Sequence, residues 1–190
     1  MFSWLDKRLK LKPFFVRPAL PRGNAIWYYF PGIFTLSLLF LQMATGGFLF
    51  WQKPSSDLPG LAKNFHWIGA NALMFFAGLH FLRNLWHKTY KTPSELGWLS
   101  GIFLFFLMCF SCITGSFLAC SDLATTQSWI QKVPGLNPIF GALFQGKNAL
   151  ELHKIQVFHV SLLPLLILLV VFFHLWALQR AGISNFAKRD

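Results

Sequence analysis

Acidic residues are scarce: six Asp and Glu stand against 17 Lys and Arg in 190 residues, and charged residues of all kinds make up only 12%. With 55% hydrophobic residues and a mean hydropathy of +0.49, that shortage excludes an ordinary soluble domain of this length. Cysteine is nearly absent as well. Cys109, Cys112 and Cys120 make an odd number, two of them lie three apart in an apolar run, and no Cys-x-x-Cys-His string that attaches a cofactor covalently occurs. All three are read as small apolar helix residues. The first 26 residues lack a small-residue cleavage pattern, so they are expected to form a basic amphipathic surface arm and not a signal peptide. Internal repeats and low-complexity tracts are missing too.

Long apolar runs are what the chain has in their place. Four stretches, about 27–51, 65–86, 96–118 and 157–177, meet the ~20-residue length a helix needs to cross a bilayer. The expected fold is an all-α membrane protein, a four-transmembrane-helix bundle over 27–184, with an arm at 1–26 and a tail at 185–190. Pro54, Ser55, Ser56, Pro59 and Gly60 mark a tight loop between the first two spans. Thr92-Pro93-Ser94-Glu95 reads as the start of the third span. Residues 119–154 are polar and broken by Pro134, Gly135, Pro138 and Gly141, which suits a segment lying on the outer membrane surface. The net charge of +11 does not point to nucleic acid, because the cations sort by side of the membrane. Lys7, Arg8, Lys10, Lys12, Arg17, Arg22, Arg83, Lys88, Lys91, Arg180, Lys188 and Arg189 share one side, against Lys53, Lys63, Lys132, Lys147 and Lys154 on the other. The positive-inside rule then places both termini in the cytoplasm of a bacterial inner membrane or equivalent energy-transducing membrane.

Ionisable residues inside spans are costly and mark function. Here two spans carry two histidines each. His66 and His80 are 14 residues apart in the second span, which is ~21 Å along a helix and nearly one face. His159 and His174 are 15 apart in the fourth, ~22 Å and a similar face. Both spans run inward, so His66 is expected to pair with His159 near the outside and His80 with His174 near the inside. Histidines facing each other across a bundle can fill both axial positions of a haem iron, which leaves no open position and points to electron transfer. A lone intramembrane His would read as a hydrogen-bonded helix contact, but four at matched spacings do not. Two isolated pairs also lack the four ligands of a closed zinc site.

The glycines repeat the interval. Gly32 and Gly46 in the first span are 14 apart, as are Gly101 and Gly115 in the third, so each of these helices offers one Gly at each haem level, where a helix must come close to a flat ring. Lys63, Lys154 and Arg83 stand near the paired histidines and are candidate partners for haem propionates, with interfacial anchoring as the competing role. His87 and His153, at span ends, are read as solvated.

These residues resemble the N-terminal half of cytochrome b, and most closely its short split form, cytochrome b6. The resemblance covers about 32–183. It rests on Leu41-Gln42-Met43-Ala44-Thr45-Gly46, on His66-x-x-Gly69-Ala70 through His80-x-x-Arg83, and on Thr92-Pro93-x-Glu95-Leu96-x-Trp98. In the fourth span it rests on His159-x-x-x-x-Pro164 and on His174 followed by Gln179-Arg180-Ala181-Gly182-Ile183-Ser184. It implies a di-haem b-type cytochrome subunit of a dimeric, multi-subunit, bc-type quinol-oxidising complex in the bilayer. Two non-covalent haem b groups are implied, an outer low-potential one at His66 and His159 and an inner high-potential one at His80 and His174. A quinone site beside the inner haem is also implied, with Gln179 and Arg180 as candidates. The implied partners are a subunit supplying the C-terminal half of cytochrome b, and a Rieske iron-sulfur protein, a c-type cytochrome or both. This sequence departs from the family in two ways. Gly115-Ser116-Phe117-Leu118-Ala119-Cys120 replaces the family's Gly-Tyr-x-Leu-Pro-Trp at a wall of the outer quinol pocket, and Tyr28-Tyr29-Phe30 replaces the cysteine that carries an extra haem in cytochrome b6. The first departure favours a second expectation, a haem-b anchor and electron conduit for a periplasmic cytochrome or iron-sulfur partner, without an outer quinol-oxidation site of its own.

Overall fold

A computed structural model describes residues 26–51, 58–91, 94–119 and 149–181. The expected arm, the tail, Thr92-Pro93 and most of the outer surface segment lie outside the described residues. Among the described residues every regular element is a helix: α1 (Ile26–Trp51), α2 (Leu58–Trp86), α3 (Glu95–Ala119), α4 (Ala149–Val157) and α5 (Leu163–Ala181). A π turn, Phe158–Leu162, joins α4 to α5 into one rod. Four helical stretches are long and apolar enough to cross a membrane: Phe30–Trp51, Gly60–Trp86, Glu95–Ala119 and His153–Arg180. The protein is an integral membrane protein built as an all-α bundle.

Hydrocarbon offers no partner to a backbone N–H or C=O, so apolar runs of this length close their hydrogen bonds internally as helices. Their few hydroxyls do the same. Thr35 Oγ1 donates to the Pro31 carbonyl (2.7 Å), Ser37 Oγ to that of Ile33 (3.0 Å) and Ser116 Oγ to that of Cys112 (2.9 Å). α2 starts earlier than the sequence suggests, with Pro59 and Gly60 inside its first turn and not in a loop. Proline is tolerated there because the first N–H groups of a helix lack intrahelical partners. The last rod is likewise helical from Ala149, so Lys154 belongs to it and not to a surface loop. Lys88, at φ 52°, takes the left-handed conformation just past α2, and the Lys88 N–H bonds to the Leu85 carbonyl (3.0 Å). Ser94 opens α3, its carbonyl accepting the Trp98 N–H (2.9 Å).

Packing is inverted relative to a soluble domain. Phe75, Phe106 and Phe172 are 63%, 64% and 74% exposed on the outer surface, and Trp51 and Trp86 stand out at helix ends, where indoles favour the interface. Among the described residues, which also bury Ile155, Leu163 and Ala177, one packed cluster joins Leu39, Leu73, Ala77, Leu104, Met108 and Ile167. Every one of these positions falls between the two histidine levels of the sequence ruler, so the tight packing forms a waist. α2 packs along α1 and α5 along α3; α2, which carries His66 and His80, and α5, which carries His174 and follows the π turn with His159, are not a close-packed pair. That arrangement positions the site.

Candidate functional site

The four intramembrane histidines are half-buried. His66 is close enough to His159, and His80 to His174, for their charges to interact. Among the described residues no three His, Cys, Asp or Glu side chains converge. Cys109 and Cys112 are free thiols in α3.

The unequal spacings, 14 and 15, are reconciled by the π turn. It takes in one extra residue without adding a turn, and it contains His159. The Leu163 N–H reaches back five residues to the Phe158 carbonyl. Pro164, which has no N–H, follows at once, so an uninterrupted α-helix would leave the Val160 carbonyl without its partner.

Each histidine lies against a glycine of the helix behind it. A Cβ added to Gly32 would stand 3.1 Å from His80 Cε1, one on Gly46 3.1 Å from His66 Cε1, one on Gly101 3.1 Å from His174 Cε1, and one on Gly115 3.0 Å from His159 Cε1. The sequence assigned these glycines to a haem surface. In the structure the first atoms they make room for are imidazole atoms, and the same close approach brings α1 onto α2 and α3 onto α5.

The residue before three of these glycines carries a hydroxyl, a signal present in the sequence that spacing alone did not reveal. Thr45 Oγ1 lies 2.8 Å from His66 Nδ1, Ser100 Oγ 2.9 Å from His174 Nδ1, and Thr114 Oγ1 2.9 Å from His159 Nδ1. Each hydroxyl spends its proton on a main-chain carbonyl one turn back: Thr45 on Leu41 (2.9 Å), Ser100 on Gly97 (3.0 Å), Thr114 on Phe110 (3.1 Å). At His174 and His159 the oxygen is therefore the acceptor, Nδ1 carries the ring proton and donates it, and Nε2 keeps its lone pair; at His66 the Gln42 amide reaches Nδ1 as well. At His80 the same tautomer follows from the other side. Asn84 Nδ2 donates to Nε2 over 3.0 Å, while Nδ1 is buried with no partner among the described residues.

Gln42 is a second residue that spacing missed. It is 8% exposed in the midst of an apolar helix. With its amide oriented so that Oε1 accepts the Ala70 N–H (3.0 Å), Nε2 donates to the His66 carbonyl (3.0 Å) and lies 3.1 Å from His66 Nδ1, which clamps α1 to the turn of α2 that holds His66. A Cβ on Gly69 would collide with that amide.

The cations are less gathered. Lys63 and Lys154 are exposed, and Arg83 is half-buried within electrostatic range of His80. Gln179 is exposed, and the Arg180 guanidinium stacks over the Trp176 ring at 5.6 Å. His87 and His153 are exposed, as the sequence led us to expect.

Comparison with known proteins bears on this geometry. A family model described as "Cytochrome b(N-terminal)/b6/petB" matches residues 71–190. Cytochrome b6 of Heliobacterium mobile is 28% identical over 210 residues, covering 96% of this chain and 99% of its own. Cytochrome b/c1 of Bradyrhizobium diazoefficiens is 27% identical over 210 residues, but this chain spans only 30% of its length. The menaquinol:cytochrome c reductase cytochrome b subunit of Geobacillus thermodenitrificans is 25% identical over 220 residues, with 97% of both chains covered. Among solved structures, a chain of a hyperthermophilic respiratory Complex III superposes with a TM-score of 0.66 at 22% identity, over 96% of this chain and 55% of that one, a likeness of fold.

Proposed function

The chain belongs to the cytochrome b(N-terminal)/b6 family, and from that premise we propose that it is a di-haem subunit carrying electrons across the membrane between quinone or quinol and other redox subunits of a bc-type complex. The outer haem b is held by His66 and His159, the inner one by His80 and His174. What supports this reading is the matched seating of four histidines, two on α2, one in the π turn and one on α5, each with its Cε1 3.0 to 3.1 Å from the place of a Cβ on a glycine of α1 or α3. At His159 and His174 the tautomer fits a metal, since Nε2 keeps its lone pair, and at His80 the Nε2 lone pair would exchange the Asn84 amide for iron. Haem b so ligated supplies reversible one-electron chemistry with no open coordination position.

The chain's own residues supply the rest. Hydroxyls fix ring orientation and raise imidazole basicity through Nδ1. Glycines let the neighbouring helices close behind the rings. The aliphatic waist excludes water and holds the two levels ~21 Å apart along α2. Arg83, within electrostatic range of His80, is the best-placed propionate partner, with Lys63 and Lys154 serving the outer level. Gln179 and Arg180 at the inner end of α5 are the candidate quinone contacts. Both termini face the cytoplasm, following the sorting of the cations.

Quinol oxidation is supported by the relative named as a menaquinol:cytochrome c reductase subunit. A subunit with the remaining cytochrome b helices and a Rieske protein or c-type cytochrome would complete such a complex, itself dimeric. The Ala119-Cys120 departure favours a narrower second role, a haem-b anchor and conduit without its own outer quinol site. Reduced-minus-oxidised spectra of the purified full-length chain test the common core. Two b-type haems per chain are expected, and one after His80→Leu. Absence of a b-type band, or two haems persisting in His80→Leu, would overturn the assignment.

A further inference from the structure

Three histidines are braced at Nδ1 and one is not, and the difference traces to a single residue. Thr45-Gly46, Ser100-Gly101 and Thr114-Gly115 each place a glycine under Cε1 and a hydroxyl on Nδ1. At His80 the glycine is in the same place, Gly32 at 3.1 Å from Cε1 against 3.0 to 3.1 Å elsewhere. The residue before it is Pro31, which has no hydroxyl, and His80 Nδ1 is buried without a partner among the described residues.

Because the Gly32 seat stands at the same distances from Cε1 and Nδ1 (3.1 and 3.6 Å) as the Gly101 seat, and within 0.1 Å of the Gly46 seat, a hydroxyl at position 31 would fall where those of Ser100 and Thr45 do, on Nδ1. We infer that Pro31 is a potential-setting residue of the inner haem: by withholding the hydrogen bond that the other three ligands receive, it keeps the inner iron easier to reduce than a fully braced centre. The inference rests on the di-haem reading and deepens it. An Nδ1–H···O bond pushes electron density toward Nε2, makes the imidazole a stronger donor and favours the more positive, oxidised iron. The outer level has two such bonds, from Thr45 and Thr114. The inner level has one, from Ser100. The hydroxyl count therefore tilts the chain so that an electron entering at the outer haem moves inward, independently of any difference in burial.

The test is a redox titration of the full-length protein in detergent, followed by b-type absorbance, comparing wild type with Pro31→Thr, Pro31→Ser and Pro31→Ala. Ser100→Ala, which removes the one inner brace, identifies the inner step by raising it. Pro31→Thr is expected to lower the inner step by about tenfold in its reduction equilibrium, about 59 mV for one electron, and to leave the outer step in place. Pro31→Ala returns the backbone N–H without a hydroxyl and should leave both steps unmoved, which separates the hydroxyl from any change in helix shape. Two b-type steps in the wild type with no shift in Pro31→Thr or Pro31→Ser would overturn this inference and leave the haem assignment standing. So would an equal shift in Pro31→Ala, or loss of the inner haem in both hydroxyl variants while Pro31→Ala keeps it. A wild type without b-type steps would overturn both.

Discussion

Deleting Val160 is the sharpest test of how α5 presents its histidines. At about 100° per residue, 14 residues fall some 40° short of four full turns, and 15 residues run some 60° past them. A plain α-helix between His159 and His174 would thus turn one histidine by about 100° relative to the arrangement on α2. The π turn absorbs that residue. With Val160 removed, the Leu163 N–H and Phe158 carbonyl, now bonded five apart, become an ordinary α-helical pair four apart, and the histidine spacing becomes the 14 of α2. Pro164 then lies four residues after His159, so its missing N–H leaves the His159 carbonyl unmet, a local cost that does not change which way the histidines face. The deletion is therefore expected to preserve helix content and both haems. Inserting one alanine between Ala70 and Asn71, in α2 where no π turn exists, should rotate His66 away from His159 and abolish the outer haem alone. Haem per chain by b-type absorbance, with circular dichroism for helix content, reads both outcomes. A folded Val160 deletion that has lost a haem would refute the π turn's role as the register correction.

Three further outcomes follow from the same contacts. Gly101→Val would drive a branched side chain into the His174 ring, whose Cε1 stands 3.1 Å from the site of a Cβ, and should cost the inner haem while the outer band survives. Thr114→Val keeps the shape but leaves the His159 Nδ1–H without its acceptor; about 1–3 kcal/mol of stability should be lost, read as a lower unfolding temperature in detergent. Gly69→Ala pushes a methyl group into the Gln42 amide and should cost about 1–3 kcal/mol, with partial recovery in the double variant Gly69→Ala/Gln42→Ala.

The sequence made much of this legible because membrane helices obey few rules. The four spans follow from length and apolarity, and the histidine ruler follows from helical rise. The proposed pairing of His66 with His159 and of His80 with His174 rests on the parity of crossings. Helix starts were less legible: Pro59-Gly60 reads as a turn wherever it occurs, and only its place in a first turn makes it helical. The π turn was written in the 15-residue interval and in Pro164, but a one-residue excess changes the facing angle without changing the apparent ruler, so it passed as a similar face. Gln42 and the three hydroxyls were invisible to spacing because each acts across a helix interface, on an atom contributed by another span.

The hydroxyl–glycine step accounts for how a polar site survives in hydrocarbon. A bare Ser or Thr there would carry the cost of an unmet donor, but in this bundle each hydroxyl satisfies its own helix first, through a carbonyl one turn back, and offers only a lone pair across the interface. The following glycine removes the side chain that would otherwise hold the helices apart, so brace and seat come from adjacent residues and cannot move independently. Three of four seats use the pair, and the fourth keeps the glycine and drops the hydroxyl. Space for the ring is thus the requirement common to all four positions, whereas the Nδ1 bond is adjustable. A feature that varies while the seat stays fixed is suited to setting the properties of one centre without disturbing the fold that holds both.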